Sequence, residues 1–154
     1  MLKELILLIK LLFKKVDSNK TELPILMLKH FPFKGYRAMM WCGYIIDNEN
    51  DKYNITERTK QHEMVHYQQM CSLNSYVKYY LIYLWEWIKN GMFGSASYHC
   101  NPMEIEAYVN EIHNNYKTYK GKYKKYKLKN HRKIYKQNRL RWKTFIRNYF
   151  KDVH

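Results

Sequence analysis

Apolar positions recur along the chain with a helical period in five places, and with a strand-like run in one. At the start, Leu2, Leu5, Ile6, Ile9, Leu12 and Phe13 form a stripe that predicts an amphipathic helix through about Val16. A polar stretch, Val16 to Leu23, reads as a loop. The aromatic-rich segment Ile25 to Ile46 holds Pro32 and Gly35 and reads as one or two short strands around Ala38 to Ile46. Asp47 to Tyr53 is acidic and polar, so a turn is expected there. Asn54 can cap the next helix, with Glu57 three residues later as in a capping box, and the helix should run from about Thr56 to Leu73. Another follows from Ser75 to Asn90, then a loop from Gly91 to Asn101. Pro102 at a first helical turn, capped by Asn101, opens a third. Its apolar stripe is Ile105, Tyr108, Val109, Ile112 and Tyr116, continued by Tyr119, Tyr123 and Tyr126. Gly121 weakens that continuation, so Lys117 to Lys129 is either helix or linker. A last amphipathic segment, Tyr135 to Phe150, carries Leu140, Trp142, Phe145, Ile146 and Tyr149, which predicts docking onto the body. The fold class expected is mainly α (α+β): a helical core with a small β-element before the second helix.

Charge divides this picture in two. Residues 1–116 hold 13 Lys+Arg against 12 Asp+Glu, whereas residues 117–154 hold 15 against one. A nearly neutral domain, 1–116, is therefore followed by a Lys/Tyr-rich basic extension, 117–154. Such an extension favours a polyanion, either nucleic acid or an anionic membrane surface. Its interleaved Lys and Tyr between Tyr116 and Lys129 could stack on single strands. The first helix is too charged to span a bilayer, since Lys3, Glu4, Lys10, Lys14 and Lys15 interrupt it. It is expected to pack on the body, with attachment to a membrane surface as the alternative. Cys42, Cys71 and Cys100 are odd in number, widely spaced and without a CxxC. Neither a zinc ribbon nor a disulfide framework is indicated, and a reducing, cytoplasmic setting is expected.

The chemistry lies in residues 62–66, His-Glu-Met-Val-His. Positions i and i+4 of a helix share a face, so His62 and His66 can converge on one zinc ion. Glu63 can then act as general base toward a metal-bound water. A catalytic zinc usually has three protein ligands and one open position. The metzincin pattern is excluded, because Gln69 and Ser72 stand where it needs Gly and His. Glu104 and Glu106, 38 and 40 residues after His66, are the candidates for the third ligand. That separation allows one intervening helix and a return loop. His99 is a further candidate ligand or pocket residue. Tyr98 and Tyr108 are either oxyanion donors or core. Gln68 and Gln69 are read as structural, and His30, His113, His131 and His154 as ordinary surface or packing residues.

HEMVHYQQM followed by NPMEIEAYVNE resembles the gluzincin group of HExxH metallopeptidases. It is most similar to small bacterial and phage predicted peptidases with HExxHxxQ and a later PxExEA helix. The likeness covers Phe31 to Glu111 loosely and about 20 residues of motif well. It implies Zn2+ held by His62, His66 and Glu104, Ala107 as a small packing residue, and a peptide or other amide as substrate. Tyr108 stands where many relatives have Asp, which would remove a carboxylate that orients a ligating histidine. A thermolysin-like register would instead select Glu106, with Asn110 behind it. An extended substrate could add to the edge of the Ala38 to Ile46 strand. The rival readings are an inactive metal-binding scaffold, with His99 or Cys100 completing a structural site, and a basic nucleic-acid or membrane-surface protein.

Overall fold

The computed structural model describes residues 1–32, 38–50, 55–112 and 123–153. Helix α1 (Leu2–Leu12) precedes a three-stranded sheet of β1 (Ile25–Leu28), β2 (Met39–Trp41) and β3 (Tyr44–Asn48). Helices α2 (Glu57–Leu73), α3 (Tyr76–Lys89), α4 (Ser95–His99), α5 (Pro102–Asn110), α6 (His131–Asn138) and α7 (Trp142–Tyr149) follow, with short 3-10 turns at Tyr123–Tyr126 and Arg139–Arg141. The fold is mainly α with a small sheet, as the hydrophobic pattern predicts.

The sheet order is β1-β3-β2, with β1 parallel and β2 antiparallel to β3. Cys42 and Gly43, both at positive φ, make the tight turn between β2 and β3. That conformation suits a two-residue hairpin and favours glycine. A Cβ on Gly43 would also stand 3.0 Å from Lys20 Nζ, which donates to the Gly43 carbonyl. Strand β1 lies outside the segment the sequence marked as strand. Its partner is 20 residues away, so no local turn announces it. Strand β3 also runs on through Asp47 and Asn48, where a turn was expected.

Helix α2 spans Glu57–Leu73, close to the expected Thr56 to Leu73, but its cap is Thr56, two residues after the expected Asn54. Thr56 Oγ1 accepts from Thr59 N at 3.2 Å, while Asn54 lies outside the described residues. Ser75 and Asn101 cap α3 and α5 through their side chains, and Pro102 occupies the first turn of α5. The third helix stops at Asn110, and its expected continuation through Tyr116 and Tyr119 falls outside the described residues. The short α4 occupies what was expected to be loop.

Two apolar cores meet at α5. One gathers the sheet, α2 and α3 around Ile45, Met64, Tyr67 and Met70, and includes Met103 from α5. The other gathers Ile105, Tyr108 and Val109 of α5 with Tyr126, Tyr135, Trp142, Ile146 and Phe150. The C-terminal segment therefore supplies core, although the expected single amphipathic stretch is broken into α6, a 3-10 turn and α7. Leu140 falls on the outside and is fully exposed.

The first helix departs from its expected orientation. Leu8 and Leu11 are the buried positions, whereas Leu2, Ile6, Ile9 and Phe13 point away from the body. No described helix is long and apolar enough to cross a membrane.

Candidate metal centre

Helix α2 carries His62 and His66 one turn apart on the face packed against α5. Glu104, in the first turn of α5, faces them. Three side chains converge: His62 Nε2 and His66 Nε2 are 3.2 Å apart, Glu104 Oε2 is 3.4 Å from the first, and Glu104 Oε1 is 3.3 Å from the second. All three side chains are buried. Charge-assisted N–H···O bonds are shorter, about 2.7–2.9 Å. One ligand atom from each residue lies within 4.8 Å of the other two, a grouping compact enough to hold a metal ion.

The other ring nitrogens show which atoms face the centre. His62 Nδ1 lies 2.8 Å from Glu111 Oε2, and His66 Nδ1 lies 3.0 Å from Gln69 Oε1 and 3.1 Å from Tyr79 Oη. Gln69 Nε2 donates to Met103 O and to Glu106 Oε2, which turns the amide oxygen toward His66. With Nδ1 protonated on both rings, the two Nε2 lone pairs and a carboxylate point at one another. Glu104 Oε2 has no hydrogen-bond partner. Such a donor set could hold a metal ion, and nitrogen plus carboxylate ligands are of a type that zinc accepts.

Without a metal ion, protons on the histidines balance the carboxylate. Burial opposes protonation of His62, yet Glu104 and Glu111 outweigh it and push its pKa up to about 10. Burial likewise opposes charge on His66, but Glu104 raises its pKa. Burial would raise Glu104, and the two histidines hold it well below the usual carboxylate range. Glu63 behaves differently: burial raises its pKa, with His62 and His66 opposing.

Glu63 sits beside the ligands without joining them. Its Oε2 accepts the Met40 N–H at 2.9 Å, which ties α2 to β2. Glu63 lines two adjoining cavities that also share Ala38, Trp87 and Tyr98. One, of about 300 Å³, is walled by Trp41, Tyr79, Tyr80 and Tyr83 together with His66 and Glu104. The other, about 770 Å³, has a more polar lining than the first and is bordered by Arg58, His62, His99 and Lys143.

Of the expected site residues, His62, Glu63, His66 and Glu104 are brought together. Glu106 is not; it is buried against Gln69, and Asn110 Nδ2 donates to the Glu106 carbonyl. Two groups behind the histidines were missed by the sequence reading. Gln69 does more than bond neighbouring backbone, since it orients His66 and straps α2 to α5. The carboxylate thought lost with Tyr108 is supplied by Glu111, while the Tyr108 ring packs 4.7 Å from His62. Glu111 lies seven residues after Glu104, two helical turns on and so on the same face, and that spacing was the available signal. Its Oε1 is held by Arg58 at 2.6 Å and by Arg147 at 2.6 Å.

His99 and Cys100 stand apart from the ligands. His99 stacks on Tyr135 with ring centroids 5.3 Å apart, and Cys100 Sγ donates to His131 O at 3.7 Å. The three cysteines are free thiols, and burial pushes Cys42 and Cys100 up to about 12, away from thiolate chemistry. His30 pairs with Glu4 at 2.8 Å. His131 Nε2 is buried without a partner, and His113 and His154 lie outside the described residues.

No protein-family model, curated protein or solved structure matches the chain.

Proposed function

We propose that this chain is a zinc-dependent hydrolase, a metallopeptidase acting on peptide or amide bonds. His62, His66 and Glu104 would hold the ion, and Glu63 would handle the proton. The supporting observation is the convergence of two Nε2 atoms and one carboxylate at 3.2–3.4 Å, each imidazole already committed through Nδ1. Zinc there would supply a Lewis acid and a water ionising near neutrality, at a pKa of about 7.

The chain's own groups fit that chemistry. Met40 N–H fixes one oxygen of Glu63 and so orients the carboxylate. Burial raises the affinity of Glu63 for a proton, toward the range where one group can take a proton and return it to a leaving amine. Tyr83 donates to Glu104 Oε1 at 2.7 Å and steadies that carboxylate.

Strand addition along β2 has little room. Met40 N–H is held by Glu63, and Tyr80 Oη donates to Met40 O and accepts from Cys42 N. A substrate is better accommodated across Ala38, which borders both cavities, with a bulky apolar side chain in the aromatic one. The scaffold reading would gain from a fourth protein ligand, and neither His99 nor Cys100 approaches the ligand atoms. Stacking on single strands through Tyr116 to Lys129 loses one of its aromatics, because Tyr126 is buried in the core.

Metal analysis of purified protein tests the reading. Zinc should be near stoichiometric in the parent and in Glu106→Gln, and lost in His66→Ala and Glu104→Ala. Glu63→Gln should keep zinc while cleavage of a quenched-fluorescence peptide library falls by about 100-fold or more. Undiminished cleavage by Glu63→Gln would refute the mechanism.

A further inference from the structure

The outward face of α1 is apolar where a surface helix is ordinarily polar. Leu2, Ile6, Ile9 and Phe13 follow one another at spacings of four, three and four, and are 69%, 44%, 45% and 78% exposed. They form one stripe opposite the buried Leu8 and Leu11. The single acid of the helix is turned inward: Glu4 accepts from Lys29 N and pairs with His30, each at 2.8 Å. What remains outside beside the stripe is Lys3 and Lys10, with Lys14 and Lys15 just beyond the helix, all exposed.

Helix α3 repeats the pattern. Leu81, Leu84, Trp85 and Ile88 are 40–62% exposed, and Lys89 lies over the Trp85 ring at 5.6 Å. The two helices are joined through Trp41, whose indole donates to Leu8 O at 2.9 Å and stacks on Tyr80 of α3 at 4.5 Å. Both helices thus expose apolar side chains, on a chain of net charge +15.

We propose that the α1 stripe is a docking surface for an anionic phospholipid membrane. An apolar face edged by lysines lies in the plane of a bilayer interface, where the acyl boundary covers the apolar atoms and acidic headgroups meet the amines. Charge selects this occupant. A second copy of the chain would bring Lys3 and Lys10 of both copies to the same seam, whereas anionic lipid neutralises them. The inference concerns a surface apart from the metal centre and stands independently of the zinc reading.

Co-sedimentation of the full chain with vesicles tests it. One set would be phosphatidylcholine alone, the other phosphatidylcholine with about one third phosphatidylglycerol. The chain should partition to the anionic vesicles about tenfold or more over the neutral ones, and less as salt rises. Ile6→Ser/Phe13→Ser and, separately, Lys10→Gln/Lys14→Gln should each lower that partition several-fold, with near-ultraviolet circular dichroism unchanged. Failure to sediment with either vesicle overturns the proposal, as does binding that Ile6→Ser/Phe13→Ser retains. A concentration-dependent dimer abolished by Ile6→Ser/Phe13→Ser, without vesicle binding, would assign the stripe to self-association and overturn it as well.

Discussion

Glu111 accepts from His62 through one oxygen while Arg58 and Arg147 hold the other, so its position is fixed from three directions. Burial works against its charge, yet His62, Lys143 and Arg58 keep its pKa below the ordinary value. A ligating imidazole so held is a better zinc donor than one free to rotate, and loss of such a partner typically costs about 10–100-fold in metal affinity. Glu111→Gln should therefore weaken zinc binding by roughly that factor in a chelator competition, whereas Glu106→Gln should change it little. Unaltered affinity in Glu111→Gln would mean the contact does not orient the ligand. Protonation gives a second handle on the same residues. The folded pKa of His62 is raised from 6.5 to about 10, so its contribution to the stability of metal-stripped protein is complete below about pH 6.5. It is then lost as pH climbs toward about 10, at no more than about 1.4 kcal/mol per unit. The stripped protein should melt at progressively lower temperature between about pH 6.5 and 9. The stabilisation that added zinc confers should grow over the same range, since fewer protons compete for the ligands. Parallel trends for stripped and loaded protein would contradict the assignment.

At the scale of elements, α7 joins the two functions of the C-terminal segment, core and charge. Ile146 is fully buried against α5, and the next residue, Arg147, reaches Glu111 and donates to Tyr108 O. Ile146→Ala should cost about 2–5 kcal/mol in denaturant unfolding, while Leu140→Ala, fully exposed, should stay within about 0.5 kcal/mol. An equal loss in both would mean α7 is not docked as described. The sequence listed Leu140 and Ile146 alike as apolar residues of one segment, and only tertiary packing separates them. Helices α2, α3 and α5 were legible because capping residues, Pro102 and a helical period all act within a few residues. The metal cluster was legible in part, since the i, i+4 histidines are local and Glu104 entered through a resemblance. Strand β1, Gln69 as a strap and Glu111 as an orienting carboxylate were not, because each is defined by a partner 20 to 49 residues away. The α1 stripe was seen, but its direction was misjudged. Periodicity marks an apolar face without saying whether protein or something else covers it.

For the whole molecule, the centre lies on the seam between two cores. His62 and His66 belong to the helix that packs with the sheet and α3, and Glu104 to the helix that carries the C-terminal core. Without a metal ion the histidines and Glu104 hold that seam by opposite charge at neutral pH, and an ion in place of the protons would cross-link the halves as well as activate a substrate. Basic residues of the C-terminal segment reinforce the join, with Lys127 on Glu86 at 3.0 Å and Arg147 on Glu111. Zinc binding should then appear as folding stability. At free zinc about 1,000 times its dissociation constant, mass action adds about 4 kcal/mol. In a chain of this size each kcal/mol moves the melting point by roughly 2–4 °C, so a rise of about 8–16 °C is expected over chelated protein. The loosening on chelation should be regional, because breaking the seam leaves the sheet, α2 and α3 with their own core. Hydrogen exchange should accelerate in residues 123–153 before it does in Glu57–Leu73. His66→Ala should show neither response. A parent protein whose melting point ignores both zinc and chelator would leave the seam without its ion, and the enzymatic reading would fall with it.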